Sequence, residues 1–476
     1  MKLLTVEDCE NLDMKTVWDN YKQFVNPGQV NLISTFGFGR DLAQYAEGAW
    51  IYTKSGRKVL DFTGGVGVLS HGHNHPRILA ARRRYQELKR MEVHKNFFSP
   101  YIAGLSRNLA NILPGGLDIS YFPNSGSEAV EGAIKMAYKY HDGKRKHILH
   151  ADISFHGKLL GSASVTGSPE LDYKFPRISG TESFQYNDIG SIRKKISSIR
   201  TKDGGSDIYA LILEPFNASS LRACDEAFLR SVREICDQED IVLIFDEVYT
   251  GWAKTGTLFY FMRHEGLVPD ILIFAKSFGG GKASIAGYSC KRPVFMKAYG
   301  NLGDATLHST TYNGFGEETI TAIEAVNIIM EEDYSAKAAR IYNRINPGLI
   351  RLKEKYPHII EDVRGAGSLN GILLKADSAI LKNMAKIIPS KMFKDERFFQ
   401  KALTGALINR LYDKHSILTF YGSNREIPLI ISPSLVIKDE EIDHFLESLD
   451  STLSEGLAMI CADFIKSKFF SVLLCR

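Results

Sequence analysis

Asp270-Ile-Leu-Ile-Phe-Ala-Lys-Ser-Phe-Gly-Gly-Gly281 is an apolar run that ends on a lysine. A strand as oily as Ile271 to Ala275 reads as buried on both faces, as in a parallel sheet. The ammonium group of Lys276 at its end must be paired, hydrated through a cleft or chemically used, because burying it alone is costly. An earlier run, Ile241-Val-Leu-Ile-Phe-Asp-Glu-Val248, ends in the same way on Asp246. Two strand ends that deliver a lysine and a carboxylate suit an enzyme holding a carbonyl cofactor. The lysine can form a Schiff base with an aldehyde, and the aspartate can keep a pyridinium nitrogen protonated.

Working outward, further oily runs lie at Ile119 to Phe122, Lys146 to His150 and Ile208 to Leu213. Amphipathic segments such as Ser127 to His141 and Glu226 to Gln238 alternate with them. That alternation predicts an open α/β sheet with helices on both faces. Ligands in such sheets collect outside the carboxyl ends of the strands, so Asp246 and Lys276 are expected on one rim. Before the sheet, residues 1–30 read as a helix and connector, and residues 48–62 as a hairpin turning at Lys54-Ser-Gly56. After it come a long helix over Glu317 to Glu332 and a smaller mixed region. The expected division is an N-terminal segment (1–60), a large domain (61–315) and a small C-terminal domain with a helical tail (316–476).

Composition narrows the classes. The chain has 476 residues, 44% of them hydrophobic, and a net charge of +4, so nothing global points to nucleic acid. The densest basic stretch, Ala80-Ala-Arg-Arg-Arg-Tyr-Gln-Glu-Leu-Lys-Arg90, reads as the solvated face of a helix rather than a nucleic-acid or membrane contact. Six widely spaced cysteines fit a reduced, cytoplasmic thiol set better than a disulfide framework. Residues 1–8 become acidic before a signal-peptide core develops, and no stretch approaches the roughly 20 apolar residues of a membrane span. The nearest, Leu457 to Leu474, is interrupted by Asp463, Lys466 and Lys468 and reads as a docked helix.

Pro123-Asn-Ser-Gly-Ser-Glu-Ala-Val130 follows a strand and opens a helix. Ser125 and Glu128 have capping-box spacing, and Val130, Ile134, Ala137 and Tyr138 form the expected buried stripe. The free amides of Gly126 and Ser127 would make an anion site, although a capped helix that binds nothing fits equally well. Gly279-Gly-Gly-Lys282 is followed by Ala283, where a nucleotide P-loop needs serine or threonine, so nucleotide binding is discounted. His71-Gly-His-Asn-His75, leading into Pro76, reads as a turn into a helix rather than a metal site.

Together these segments resemble the class-III pyridoxal 5'-phosphate (PLP) aminotransferases, a family that includes ornithine, acetylornithine, 4-aminobutyrate and putrescine aminotransferases. The resemblance covers roughly residues 40–450. It rests on Leu60-Asp-Phe-Thr-Gly-Gly65, Asn124-Ser-Gly-Ser-Glu-Ala129, Phe155-His-Gly157, Ile244-Phe-Asp-Glu-Val248, the Lys276 segment and Arg364-Gly-Ala-Gly367. It implies a fold-type-I architecture: a mostly parallel central sheet with helices on both faces and a smaller α+β C-terminal domain.

Carried over residue by residue, Lys276 would hold PLP as a Schiff base and shuttle protons, while Asp246 would pair with the pyridinium nitrogen. Ser125, Gly126 and Ser127 would bind the phosphate, Phe155 would stack on the ring with His156 beside it, and Glu214 would support the rim. Thr311 would reach the phosphate of a neighbouring subunit, implying a homodimer. Arg364, Phe38 and Val66 would face the substrate, with Arg364 gripping a carboxylate.

Three positions depart from the family pattern. Tyr249 stands where glutamine usually contacts the cofactor. Phe216-Asn-Ala-Ser219 lacks a glutamate that in ornithine-type members pairs with the carboxylate-binding arginine, so Arg364 is either open to a carboxylate or switched by another residue. Val66 replaces an aromatic of ornithine-type pockets. The expected reaction moves an amino group from an amine or amino-acid donor to a keto acid or aldehyde, such as 2-oxoglutarate or pyruvate, in two half-reactions. The departures favour an amine or amino-aldehyde of specialised or cell-envelope metabolism over ornithine. An aminomutase of the glutamate-semialdehyde type is the alternative, and a decarboxylating or non-enzymatic relative ranks below it.

Overall fold

The computed structural model describes residues 3–35, 38–168, 175–375 and 397–464. Its organising element is a seven-stranded sheet, ordered Leu117–Tyr121, Gly287–Lys291, Ile271–Phe274, Val242–Asp246, Ile208–Leu213, His147–Ala151 and Thr181–Phe184. Every residue of the three strands Ile208–Leu213, Val242–Asp246 and Ile271–Phe274 is buried. Their side chains alternate between two cores, as the pleat requires. Ile271 and Ile273 pack with Val130, Ala133 and Ala137 of the helix Gly126–Tyr140. Leu272 and Phe274 join the opposite core, with Phe228, Leu229 and Val232 of the helix Glu226–Gln238. Helices thus cover both faces.

One strand was not foreseen within the mostly parallel sheet, and one residue differs from expectation. Gly287–Lys291 runs antiparallel to both neighbours, against an otherwise parallel sheet. Its sequence, Gly-Tyr-Ser-Cys-Lys, lacks an oily run, and the short connection before it carries the lysine turn instead of a crossover helix. Tyr138, placed in the buried stripe, is 45% exposed, with its ring edge-on to Tyr209.

The hairpin forms as predicted, from Trp50–Thr53 and Lys58–Asp61, with Ala43–Glu47 as a third strand. Ile417–Leu418 adds to it in parallel beside Lys58–Asp61, so the two ends of the chain share one sheet. A third sheet, Ile360–Ala366, Leu369–Leu374, Leu429–Ile431 and Phe420–Tyr421, is antiparallel throughout. The helix Gly316–Glu331 falls one residue from its expected place. Of the expected tail helix, residues 457–464 are helical with Leu457, Ile460 and Cys461 buried, and the remainder lies outside the described residues. Among the described residues no helix is long and apolar enough to cross a membrane.

Candidate active site

Asp246 closes its strand, and Lys276 follows the parallel neighbour by two residues, so both side chains stand on one rim. Lys276 has φ +53°, a left-handed conformation disfavoured for any residue with a Cβ. The turn is pinned from the next position: Ser277 Oγ lies 2.9 Å from Gly67 O and 2.7 Å from Ser70 Oγ. Lys276 Nζ lies 3.9 Å from the centre of the Tyr249 ring. Burial pushes the lysine down to about 8, with Asp246 and Glu214 opposing, so a usable fraction is free amine near neutrality.

Asp246 Oδ2 lies 2.7 Å from His156 Nδ1. A carboxylate can only accept, which places the imidazole proton on Nδ1. His156 Nε2 is buried and has no partner among the described residues. Glu214 accepts from Phe155 N at 2.8 Å and Asn217 Nδ2 at 2.7 Å. Burial pushes its carboxyl up to about 7, with His156 opposing and Asp246 reinforcing the rise.

These groups line a cavity of about 500 Å³. At one end stand Ser125, Gly126 and Ser127, where the helix Gly126–Tyr140 begins. Ser125 Oγ accepts from Glu128 N, and Glu128 Oε2 accepts in return from Asn124 N at 3.0 Å, one residue before the position a standard capping box uses. The first-turn amides have no preceding turn to satisfy them, a chemistry suited to an anion. The cavity fits PLP: an amine at one point, a buried carboxylate paired with a histidine at another, and amides for a phosphate. Space at this end is set by glycine, since a Cβ on Gly157 would lie 2.3 Å from Ser127 Oγ.

The class-III aminotransferase family model matches residues 41–453. The chain belongs to the class-III aminotransferase family. Putrescine aminotransferase of Pectobacterium atrosepticum is 32% identical over 380 residues, covering 78% of this chain and 79% of that one. Aminotransferase PigE of a Serratia species is 29% identical over 464 residues, covering 92% of this chain and about half (53%) of its own. Among solved structures, a Virgibacillus transaminase superposes with a TM-score of 0.80 at 21% identity, covering 93% and 99% of the two chains. Ornithine aminotransferase of Toxoplasma gondii gives a TM-score of 0.77 at 23% identity, covering 95% and 99%. This class-III aminotransferase is therefore a PLP-dependent enzyme of fold type I, and the comparisons favour transamination over the aminomutase alternative.

The structure brings Ser125, Gly126, Ser127, Phe155, His156, Glu214, Asp246, Tyr249, Lys276 and Val66 of this class-III aminotransferase into one cavity. Three expected residues lie elsewhere. Phe38 is half-buried, edge-on to Tyr412 at 5.1 Å and outside the lining. Thr311 is exposed in the 301–315 loop. Arg364 also lies outside the lining, and Glu426 Oε2 at 2.6 Å, Asp362 at 2.8 Å and the Ser220 carbonyl at 3.0 Å take its donors. Glu426, from the distant C-terminal region, engages the arginine that was expected to be either open or met by another residue.

Sequence reasoning singled out Phe216 to Ser219 only for a missing glutamate, and it missed the wall that Ala218 and Ser219 make with Phe420 to Ser423 and Ile430, residues that carry no motif. It also missed how Tyr249 is seated. A Cβ on Gly67 would lie 2.8 Å from Tyr249 Cζ, so the large ring fits because a glycine faces it. Lys254, with its Nζ fully buried and no hydrogen-bond partner among the described residues, gave no sequence signal.

Proposed function

We propose that Lys276 and Asp246 carry the chemistry of this aminotransferase, and that the cavity around them holds PLP. The single observation that supports this most is the delivery of a depressed lysine and a buried, histidine-paired carboxylate to one cavity that ends in helix amides. PLP, when bound, supplies an electron sink for the carbon bearing the amino group. Lys276 Nζ then takes and returns the proton of that carbon, a role suited to an amine that titrates near neutrality. Asp246, oriented by His156, presents a carboxylate to the cofactor nitrogen. Ser125, Gly126 and Ser127 hold the phosphate, and Phe155 and Val248 bound the ring. Tyr249 supports Lys276 from beneath.

The substrates on this reading are an amine donor and a keto acid or aldehyde acceptor. The active unit is a homodimer in which Thr311 serves the neighbouring site. Its support is an exposed apolar surface around that loop, with Phe97, Phe98, Leu302 and Tyr312 all more than half exposed. Free cysteines at positions 9, 224, 236, 290 and 461 are consistent with a cytoplasmic location.

The test is the visible absorption of the purified, PLP-supplied protein beside a Lys276→Ala variant. A band from lysine-bound PLP, lost in the variant and bleached by an amino donor, is expected. A band that survives the substitution would remove Lys276 from its role.

A further inference from the structure

The amine of Lys276 has an aromatic partner rather than an acidic one. Among the described residues Asp246 and Glu214 act on Nζ through space, with no hydrogen bond to either, and the buried Lys254 is a like charge nearby. The group in contact with Nζ is the Tyr249 ring, whose centre is 3.9 Å away. The electron-rich face of a ring attracts a cation at that distance, and the attraction grows where water is excluded.

The ring is seated by the same glycine that anchors the lysine turn. Gly67 O accepts from Ser277 Oγ at 2.9 Å, and a Cβ on Gly67 would lie 2.8 Å from Tyr249 Cζ. With φ at +86°, Gly67 adopts a backbone that suits glycine, so both contacts depend on one residue without a side chain. Tyr249 also packs against the apolar cluster of Phe216, Leu221, Tyr260 and Leu369. Its buried hydroxyl makes no hydrogen bond among the described residues, and Ser432 Oγ, likewise unpartnered, is its polar neighbour. The part of Tyr249 directed to the amine is therefore the ring and not the hydroxyl.

We propose that Tyr249 is a positioning residue whose ring face holds the Lys276 ammonium group whenever the lysine is free of cofactor. This rests on the reading that Lys276 carries PLP, and it gives Tyr249 a task separate from cofactor contact. A lysine released into a dry cavity needs a partner, since a bare ammonium there is costly. A carboxylate at hydrogen-bond distance would favour the charged form strongly and withhold the free amine that takes a proton. A ring face attracts the cation without a directional hydrogen bond and leaves Nζ free to turn back to the cofactor.

The experiment is acetylation of the full-length, cofactor-free protein by acetic anhydride from neutral to alkaline pH, read at Lys276 by peptide mass spectrometry. The series is Tyr249→Phe and the same substitution with one, three and five ring fluorines, which keep the ring's shape while draining charge from its face. The Lys276 midpoint, about 8 in the parent, should be unchanged in Tyr249→Phe and fall stepwise with fluorination. The full series should span about one pH unit, a tenfold change in the ratio of ammonium to amine. A ring that only fills space would leave the midpoint still, and thermal melting checks that each variant is folded. A flat series, or a shift already complete in Tyr249→Phe, overturns the proposal. Acetylation repeated with PLP bound tests the reading beneath it, because bound cofactor should protect Lys276. Protection with a flat series removes the ring's role alone, whereas an unprotected Lys276 removes the cofactor reading and the proposal with it.

Discussion

Replacing Lys254 by methionine should stabilise the cofactor-free protein at neutral pH. Lys254 is fully buried two residues beyond Trp252, and its Nζ has no hydrogen-bond partner among the described residues. Burial lowers its pKa from the ordinary 10.5 to about 7, the positive charge of Lys276 adds to the fall, and Asp61 opposes it. Because the folded pKa lies below the unfolded one, the unfolded chain binds more protons between about pH 7 and 10.5. Stability therefore rises with pH across that window. At pH 7 the lysine withholds roughly 4 kcal/mol, and by pH 10 about 1 kcal/mol.

Methionine keeps the length of the stem and has no charge to desolvate, so Lys254→Met should recover most of that difference at pH 7. Urea unfolding followed by the fluorescence of Trp252 at pH 7 and pH 10 measures it. The expected result is a higher midpoint for the variant at pH 7 and a gap that shrinks several-fold at pH 10. A variant less stable than the parent at pH 7, or a gap independent of pH, would refute the reasoning, since either would mean that the amine is satisfied inside the fold.

Gly67→Ala should lower stability by about 1–3 kcal/mol, because φ is +86° there and the new methyl would meet the Tyr249 ring. The melting temperature reads this directly, and weaker PLP retention should accompany it. Glu426→Gln should cost about 1–3 kcal/mol at pH 7 by breaking the hydrogen bonds to Arg222 and Arg364. Burial raises the Glu426 carboxyl, but the two arginines outweigh it and hold it below its ordinary 4.5. Its contribution is therefore present above pH 4.5 and lost as pH falls further, so denaturation midpoints should show less acid sensitivity in the variant than in the parent.

The amino-acid sequence alone determined the parts whose causes are local or periodic. Runs oily on both faces can only be central strands, and a charged residue ending each one had to emerge at the sheet's rim, so Asp246 and Lys276 were legible together. Ser125 and Glu128 announced a helix start, and that start stands at one end of the cavity. Tertiary structure decided what depends on segments distant in the chain. Gly287–Lys291 becomes a strand because two neighbours supply its hydrogen bonds, not because its own residues favour one. For Arg364 the nearby Phe216 to Ser219 stretch offers no acid, and no local pattern discloses that the residue engaging it is Glu426. The apolar wall likewise joins Val66, Ala218, Phe420 and Ile430 from four separate stretches. Periodicity reports which face of an element is buried, whereas the partner across that face is set by long-range packing.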